Sequence, residues 1–277
     1  MGVPGETLAA IVSCRQAGGM LLGDQLRRRV DLLGPGLDFS EPDARIALAE
    51  VFEAYEPQGF SLSPMSDRCA IEREDGGSIV IGGKLFVGGR EVGLLQRRLL
   101  LDFGIAVHEL LVLEHGARGF GVSSVLLKRC FALYDELGFE RVILQTNLTG
   151  KWHWARLGFD FVLDKERRLV RDWTERALFA LGISTLRVEG YESAAQFARM
   201  GGTRKVALGE LARALPPERL RITRIAGENG LRLDQEVELA RALMLCGPQW
   251  WGALELQGPG RVAFEAYAEA KIRGGSK

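Results

Sequence analysis

The spacing of apolar positions changes twice along the chain. Through residues 6–33 they recur at helical intervals, most clearly in "RQAGGMLLGDQLRRRVDLL", with a break at Gly18 and Gly19. "GPGLDFSEPDA" (34–44) reads as a loop. Ser40 stands in a capping position before a helix that starts near Pro42 and runs to about Tyr55. That helix would bury Ile46, Leu48, Val51 and Phe52.

The period then falls to two. "RCAIERE" alternates and ends at "DGG". "SIVIGGKLFV" is β-branched and apolar, and the turn Gly88-Gly89 joins it to "GGREVGLLQRRLLLDFG". "IAVHELLVLE" (105–114) follows. Hairpin spacing predicts antiparallel pairing. A helix over about 120–137 comes next, with Val122, Val125, Leu126, Cys130, Leu133 and Leu137 on its inner side and Gly138 as its left-handed cap. "ERVILQTN" reads as a strand, "TGKWHWARLGF" as a short helix and turn, and "DFVLD" as a closing strand. From about residue 170 the helical period returns and holds to the end. "RDWTERALFALG", "YESAAQFARMG", "KVALGELARALP", "LRLDQEVELARALMLCG" and "GRVAFEAYAEAKI" all read as helices. The pattern predicts an α/β (α+β) region at 41–168 in which the hairpin-spaced strands pair antiparallel. A helical segment at 1–40 precedes it, and a mainly helical domain or appendage at 169–277 follows.

Composition narrows the function classes. Nearly half of the 277 residues are hydrophobic, enough for a sizeable core. Thirty-six basic residues balance 36 acidic ones, which counts against a nucleic-acid partner held by a basic surface. The cysteines, Cys14, Cys69, Cys130 and Cys246, are far apart, and His108, His115 and His153 do not cluster with them, so no metal site is expected. No stretch reaches the roughly 20 apolar residues of a membrane span. The N-terminus lacks a basic segment followed by an apolar run, so the expectation is a cytoplasmic protein with no membrane partner.

The chemistry is expected at "EHGARGFGVSS", between the strand 105–114 and the helix after it. Successive backbone N–H groups at a helix start converge on an anion, and the helix dipole favours negative charge there. Glycine lets the chain approach a phosphate closely. Arg118 adds charge and Ser123 a hydroxyl. The Walker loop needs a Gly-Lys-[Ser/Thr] ending, which is absent. The dinucleotide fingerprint wants glycine or alanine where Ser124 stands, and a parallel unit before it.

The stretch around 111–127 resembles the pyrophosphate loop of the GNAT acyltransferases. Their Gln/Arg-x-x-Gly-x-Gly/Ala pattern falls on Gly116, Gly119 and Gly121, with glycine replacing the first residue. A second family pattern, Asn-x-x-Ala-x-x-Phe-Tyr-x-x-x-Gly-Phe, falls on Asn147, Gly150, His153, Trp154, Gly158 and Phe159. Both lie in order at family spacing, and the resemblance covers residues 41–165, about half the chain. It implies a GNAT fold, with a mixed, mostly antiparallel sheet and flanking helices, and an N-acyltransferase that uses acetyl-CoA and an amine acceptor. It further implies coenzyme A contacts at Leu111, Leu113, Arg118, Gly119, Phe120, Gly121, Val122, Ser123, Asn147 and Trp154.

Relatives with a base on the strand before the loop place it where Glu109 or Val107 stands here. Glu109 is therefore the first candidate base. Alternation puts Leu113, Leu111, Glu109 and Val107 on one face. His108 is the second candidate and faces the other way unless a bulge re-aims it. Trp154 stands where the family often has a tyrosine, and indole is not a practical acid for the leaving thiolate. Two other functions stay open: a regulatory module that holds acyl-CoA without turnover, and a toxin-like acyltransferase acting on aminoacyl-tRNA. Trp250-Trp251 sits between turn signals. Adjacent aromatics in a loop can form a recognition platform, but docking onto the first domain is the commoner use. The C-terminal helices offer either a lid or a homodimer surface.

Overall fold

The structure is a computed structural model that describes residues 60–63, 78–87, 89–100, 103–118, 121–136, 138–147 and 150–274. The helices expected at 6–33 and 42–55, the strand "RCAIERE", Cys14, Cys69, Gly119 and Phe120 lie outside these residues. The described chain is mixed α/β and forms two compact units. One holds the described residues up to 144 with Glu255–Arg261 and 265–274. The other holds Gln145–Leu254 and Val262–Phe264.

The first unit is built on five strands in sequence order, β1 (Phe60–Ser63), β2 (Ser78–Val87), β3 (Arg90–Leu100), β4 (Ile105–Leu113) and β5 (Arg141–Gln145). The first four pair antiparallel; the hairpin spacing predicts this for β2, β3 and β4, whereas the pattern does not predict β1 as a strand. β5 runs parallel to β4. A parallel pair needs a crossover, and helix α1 (Val122–Glu136) supplies it. Gly138 ends α1 at φ +70°, where its N–H bonds to the Asp135 carbonyl and the Phe139 N–H to that of Tyr134. α1 buries Leu126, Leu127, Cys130, Phe131 and Tyr134. Val122 and Val125, expected on the inner side, are only half-buried. On β3 the buried phase is Leu95, Arg97 and Leu99, an apolar stripe interrupted by one guanidinium.

The second unit contains α2 (Gly150–Arg156), β6 (Asp160–Phe161), α3 (Asp164–Ala180), α4 (Ala194–Arg199), β7 (Lys205–Ala207), α5 (Leu208–Ala214), α6 (Arg219–Glu228), β8 (Glu236–Glu238), α7 (Leu239–Cys246) and β9 (Trp251–Glu255), which ends in the first unit. Helix α8 (Pro259–Gly274) belongs, apart from 262–264, to the first unit. There Arg261 on α8 bonds to Asp135 and lies over the Phe131 ring of α1.

Two expectations change in the second unit. "DFVLD" forms only a two-residue strand, because α3 begins at Asp164 with Asp164 and Glu166 in its first turn, where the helix dipole favours carboxylates. Trp250 and Trp251 are not a loop platform. Trp251 opens β9, which pairs antiparallel with β6. Trp250 is 1% exposed, packed edge-on against Phe161. Its backbone exchanges hydrogen bonds with Thr146, through both the Thr146 hydroxyl and N–H. Trp250 stays outside the strand but is buried against Phe161, so it packs in the core rather than standing exposed.

Candidate functional site

The expected chemistry falls on β4, and β4 is irregular. Gln96 of β3 stands opposite Leu110, but the next residue, Arg97, stands opposite His108, so Glu109 is the extra residue of a β-bulge. The bulge overturns the simple alternation along this strand. Partners across an antiparallel pair share a face. His108, opposite Arg97, therefore shares a face with Leu111 and Leu113, which stand opposite Leu95 and Gly93. Glu109 turns to the opposite face, where it meets Gln96 and Arg98.

The pairing with β5 ends beside the bulge, where β5 itself runs out at Gln145. That ladder runs from Ile105 opposite Arg141 to His108 opposite Leu144. β4 continues to Leu113. The Glu114 N–H bonds to the Val92 carbonyl, which sets the parity of the β3–β4 ladder. By that parity Leu111 and Leu113 turn their backbone N–H and C=O groups away from β3. The Leu113 carbonyl is taken by the Nε of Arg118, at 2.9 Å. Gly93 lets the two strands come this close: a Cβ there would lie 2.0 Å from the Val112 carbonyl oxygen.

Beyond Leu113 the chain makes one 3-10 turn, His115–Ala117, and enters α1 through Gly121 at φ +78°, a left-handed conformation that disfavours side chains. The Val125 N–H bonds to the Gly121 carbonyl, so Gly121 begins the helical ladder. Val122 and Ser123, both half-buried, occupy the first turn.

The two candidate bases differ in surroundings. One oxygen of Glu109 accepts from Gln96 Nε2 at 2.7 Å, and the other accepts from Arg98 Nε at 2.8 Å. His108 is 4% exposed. Its Nε2 shares a 3.0 Å hydrogen bond with the hydroxyl of Tyr134 on α1, and its ring tilts against Phe131 and Tyr134. Burial, and then the charge of Arg97, push its pKa well below the ordinary histidine value. The ring is neutral at physiological pH.

Three residues of this site escaped the pattern reading. Arg97 is fully buried. Its Nη1 donates to the carbonyls of Gln96 and Leu110 and so clasps the bulge. Its Nε and Nη2 are buried and, among the described residues, have no hydrogen-bond partner, as is also true of His108 Nδ1. Arg98 and Gln96 hold Glu109. One signal was available: in "LLQRRLLL", Arg97 stands in phase with Leu95 and Leu99, at a position meant for the core.

Asn147 and Trp154 belong to the second unit. Asn147 is exposed, and its carbonyl accepts the Gly150 N–H at the start of α2. Trp154 is half-buried, edge-on to Phe159 with centroids 5.4 Å apart. A Cβ on Gly150 would lie 2.7 Å from its Nε1, so the indole rests on that glycine. The same unit hides a lysine that the sequence did not flag. Lys151 is 3% exposed and donates to the Gly247 carbonyl. Burial lowers its pKa to about 8, and burial raises that of neighbouring Cys246 to about 11.

Among the described residues, no group of His, Cys, Asp and Glu is arranged to hold a metal ion, and no helix is long and apolar enough to cross a membrane. Compared with known proteins, the chain matches no family model, no curated protein and no solved structure.

Proposed function

We propose that the chain is an acyl-CoA-dependent N-acyltransferase of the GNAT type. The observation that carries this reading is the bulge at Glu109. There the β5 ladder stops, while β4 runs on for five residues and delivers the chain through Gly121 into the start of α1. A strand edge with backbone groups turned outwards suits the amides of a pantetheine arm. A helix start reached through a left-handed glycine suits a pyrophosphate.

In the reaction, the amine nitrogen bonds to the thioester carbon and the C–S bond breaks. The amine gives up its proton, and the coenzyme A thiolate takes one from water. Glu109, held by Gln96 and Arg98, is the proposed proton acceptor through a water molecule. The neutral His108 is the second candidate. Arg118 would have to release the Leu113 carbonyl for the arm to use it.

One observation favours a second reading, an acyl-CoA-binding module without turnover: both carboxylate oxygens of Glu109 already have partners. Thermal unfolding with and without acetyl-CoA tests the ligand. A ligand at ~100 times its Kd stabilises the native state by about 2.7 kcal/mol. The expected result is a rise in Tm that Gly119→Asp abolishes, because a carboxylate in the loop repels the pyrophosphate. Turnover of an amine panel that falls at least ~100-fold in Glu109→Gln supports catalysis through this residue. Binding with no turnover supports the module, and no rise at millimolar acetyl-CoA sinks acetyl transfer and turns the test to another acyl-CoA.

A further inference from the structure

We infer that the bulge carries a carboxylate-binding site, and that the acyl group is the half-thioester of a dicarboxylic acid such as succinate. The inference rests on the acyl-CoA reading above. The observation behind it is which edge of Arg97 is free. A guanidinium is planar, and its Nε–H and the neighbouring Nη2–H point the same way, forming a fork that matches the two oxygens of a carboxylate. Nη1 is spent on the carbonyls of Gln96 and Leu110. The atoms without a partner among the described residues are Nε and Nη2, the two prongs of that fork.

The fork is fully buried, and a buried cation without an anion is a costly arrangement. Among the described residues, two acid groups of the neighbouring strands do not relieve it: Glu109 faces the other side of the sheet with Arg98, and Glu91 pairs with Lys84. His108, opposite Arg97 in the ladder, adds a third unpartnered buried nitrogen, Nδ1. The imidazole contributes no competing charge.

Position selects the acyl chain as the source of the carboxylate. Glu109 lies four residues before the end of β4, about 13 Å along an extended strand. An arm whose phosphates sit in the loop after Leu113 and which follows β4 brings its acyl end to the bulge. An acetyl group ends there, whereas a succinyl group carries a carboxylate further, to the fork. A carboxylate on the amine acceptor has the same chemistry and would approach from the other reactant.

Calorimetric titration of the full chain with succinyl-CoA, butyryl-CoA and acetyl-CoA separates these cases. Butyryl matches the length of succinyl without its charge. The expected result is succinyl-CoA bound about tenfold or more tighter than butyryl-CoA. Arg97→Gln should remove that preference, read as the ratio of the succinyl-CoA and butyryl-CoA Kd values within the variant. Arg97→Lys keeps the charge without the fork and should recover only part of the preference. Equal affinities of the wild type for succinyl-CoA and butyryl-CoA overturn the carboxylate site and leave the acyl-CoA reading intact, whether or not either variant folds. No binding of any of the three overturns both. A carboxylate dependence that follows the amine instead, in turnover with acetyl-CoA, overturns the assignment to the acyl chain.

Discussion

At the scale of the residue, three side-chain identities shape the candidate site, and each acts by a different force. Glu109 is the surplus residue of the bulge, and its carboxylate is fixed by Gln96 and Arg98. Arg97 stands at a core position and folds its charge back onto two carbonyls of the same irregularity. Gly93 contributes by having no side chain. Its missing Cβ leaves room for the Val112 carbonyl, an approach of 2.0 Å that no real carbon tolerates. Gly93→Ala must therefore push β3 and β4 apart beside Leu113. The expected cost is about 2–3 kcal/mol of unfolding free energy in a denaturant titration. A loss below about 0.5 kcal/mol would mean that the two strands are not this close.

At the scale of the element, β4 and α1 were readable in outline and misread in phase. The period-two run from Ile105 predicts the strand, and the 3.6-residue spacing from Val122 predicts the helix with its cap at Gly138. The alternation broke because one inserted residue shifts every later side chain to the other face. Nothing in "IAVHELLVL" marks that insertion. Only the register against β3 shows it, and His108 and Glu109 exchange faces as a result. At the helix start, a Cβ on Gly121 would meet no atom within 4 Å, so only the left-handed φ of +78° restricts the position. Gly121→Ala should cost about 1 kcal/mol through backbone strain alone. The same chemical denaturation experiment checks it: a cost of 3 kcal/mol or more would mean that a side chain does collide there.

At the scale of the whole molecule, the two units contribute to acid and alkaline stability through different groups. His108 in one and Lys151 in the other both have pKa values lowered by burial. In each case the unfolded chain binds the proton more readily, so unfolding free energy rises with pH through the window between the folded and unfolded values. For His108 that window lies below 6.5, and stability is lost as pH falls through it. For Lys151 it runs from about 8 to 10.5. Cys246 acts in the opposite sense: its pKa rises from 9.0 to about 11, so its contribution to stability falls with pH across that range. The net gain from Lys151 should therefore appear between pH 8 and 9, at about 1 kcal/mol. Urea titrations at both pH values should show that rise in the wild type and its absence in Lys151→Met. A flat wild-type profile would place the Lys151 amine in contact with water.

The sequence by itself determined where the strands and helices of the described chain mainly lie, which residues close α1, and that a glycine-rich turn joins β4 to it. These follow from local periodicity and from backbone preferences that act within a few residues. It also placed Trp250-Trp251 between turn signals; Trp250 does lie outside a strand, but long-range pairing with β6 draws Trp251 into β9, and contact with Thr146 and Phe161 buries Trp250. Only the tertiary structure decided the bulge, the face of His108, the partners of Glu109, and the burial of Arg97 and Lys151. Each depends on strands or helices far apart in the chain. A register or a desolvated charge arises when two such segments meet, and neither segment carries it alone.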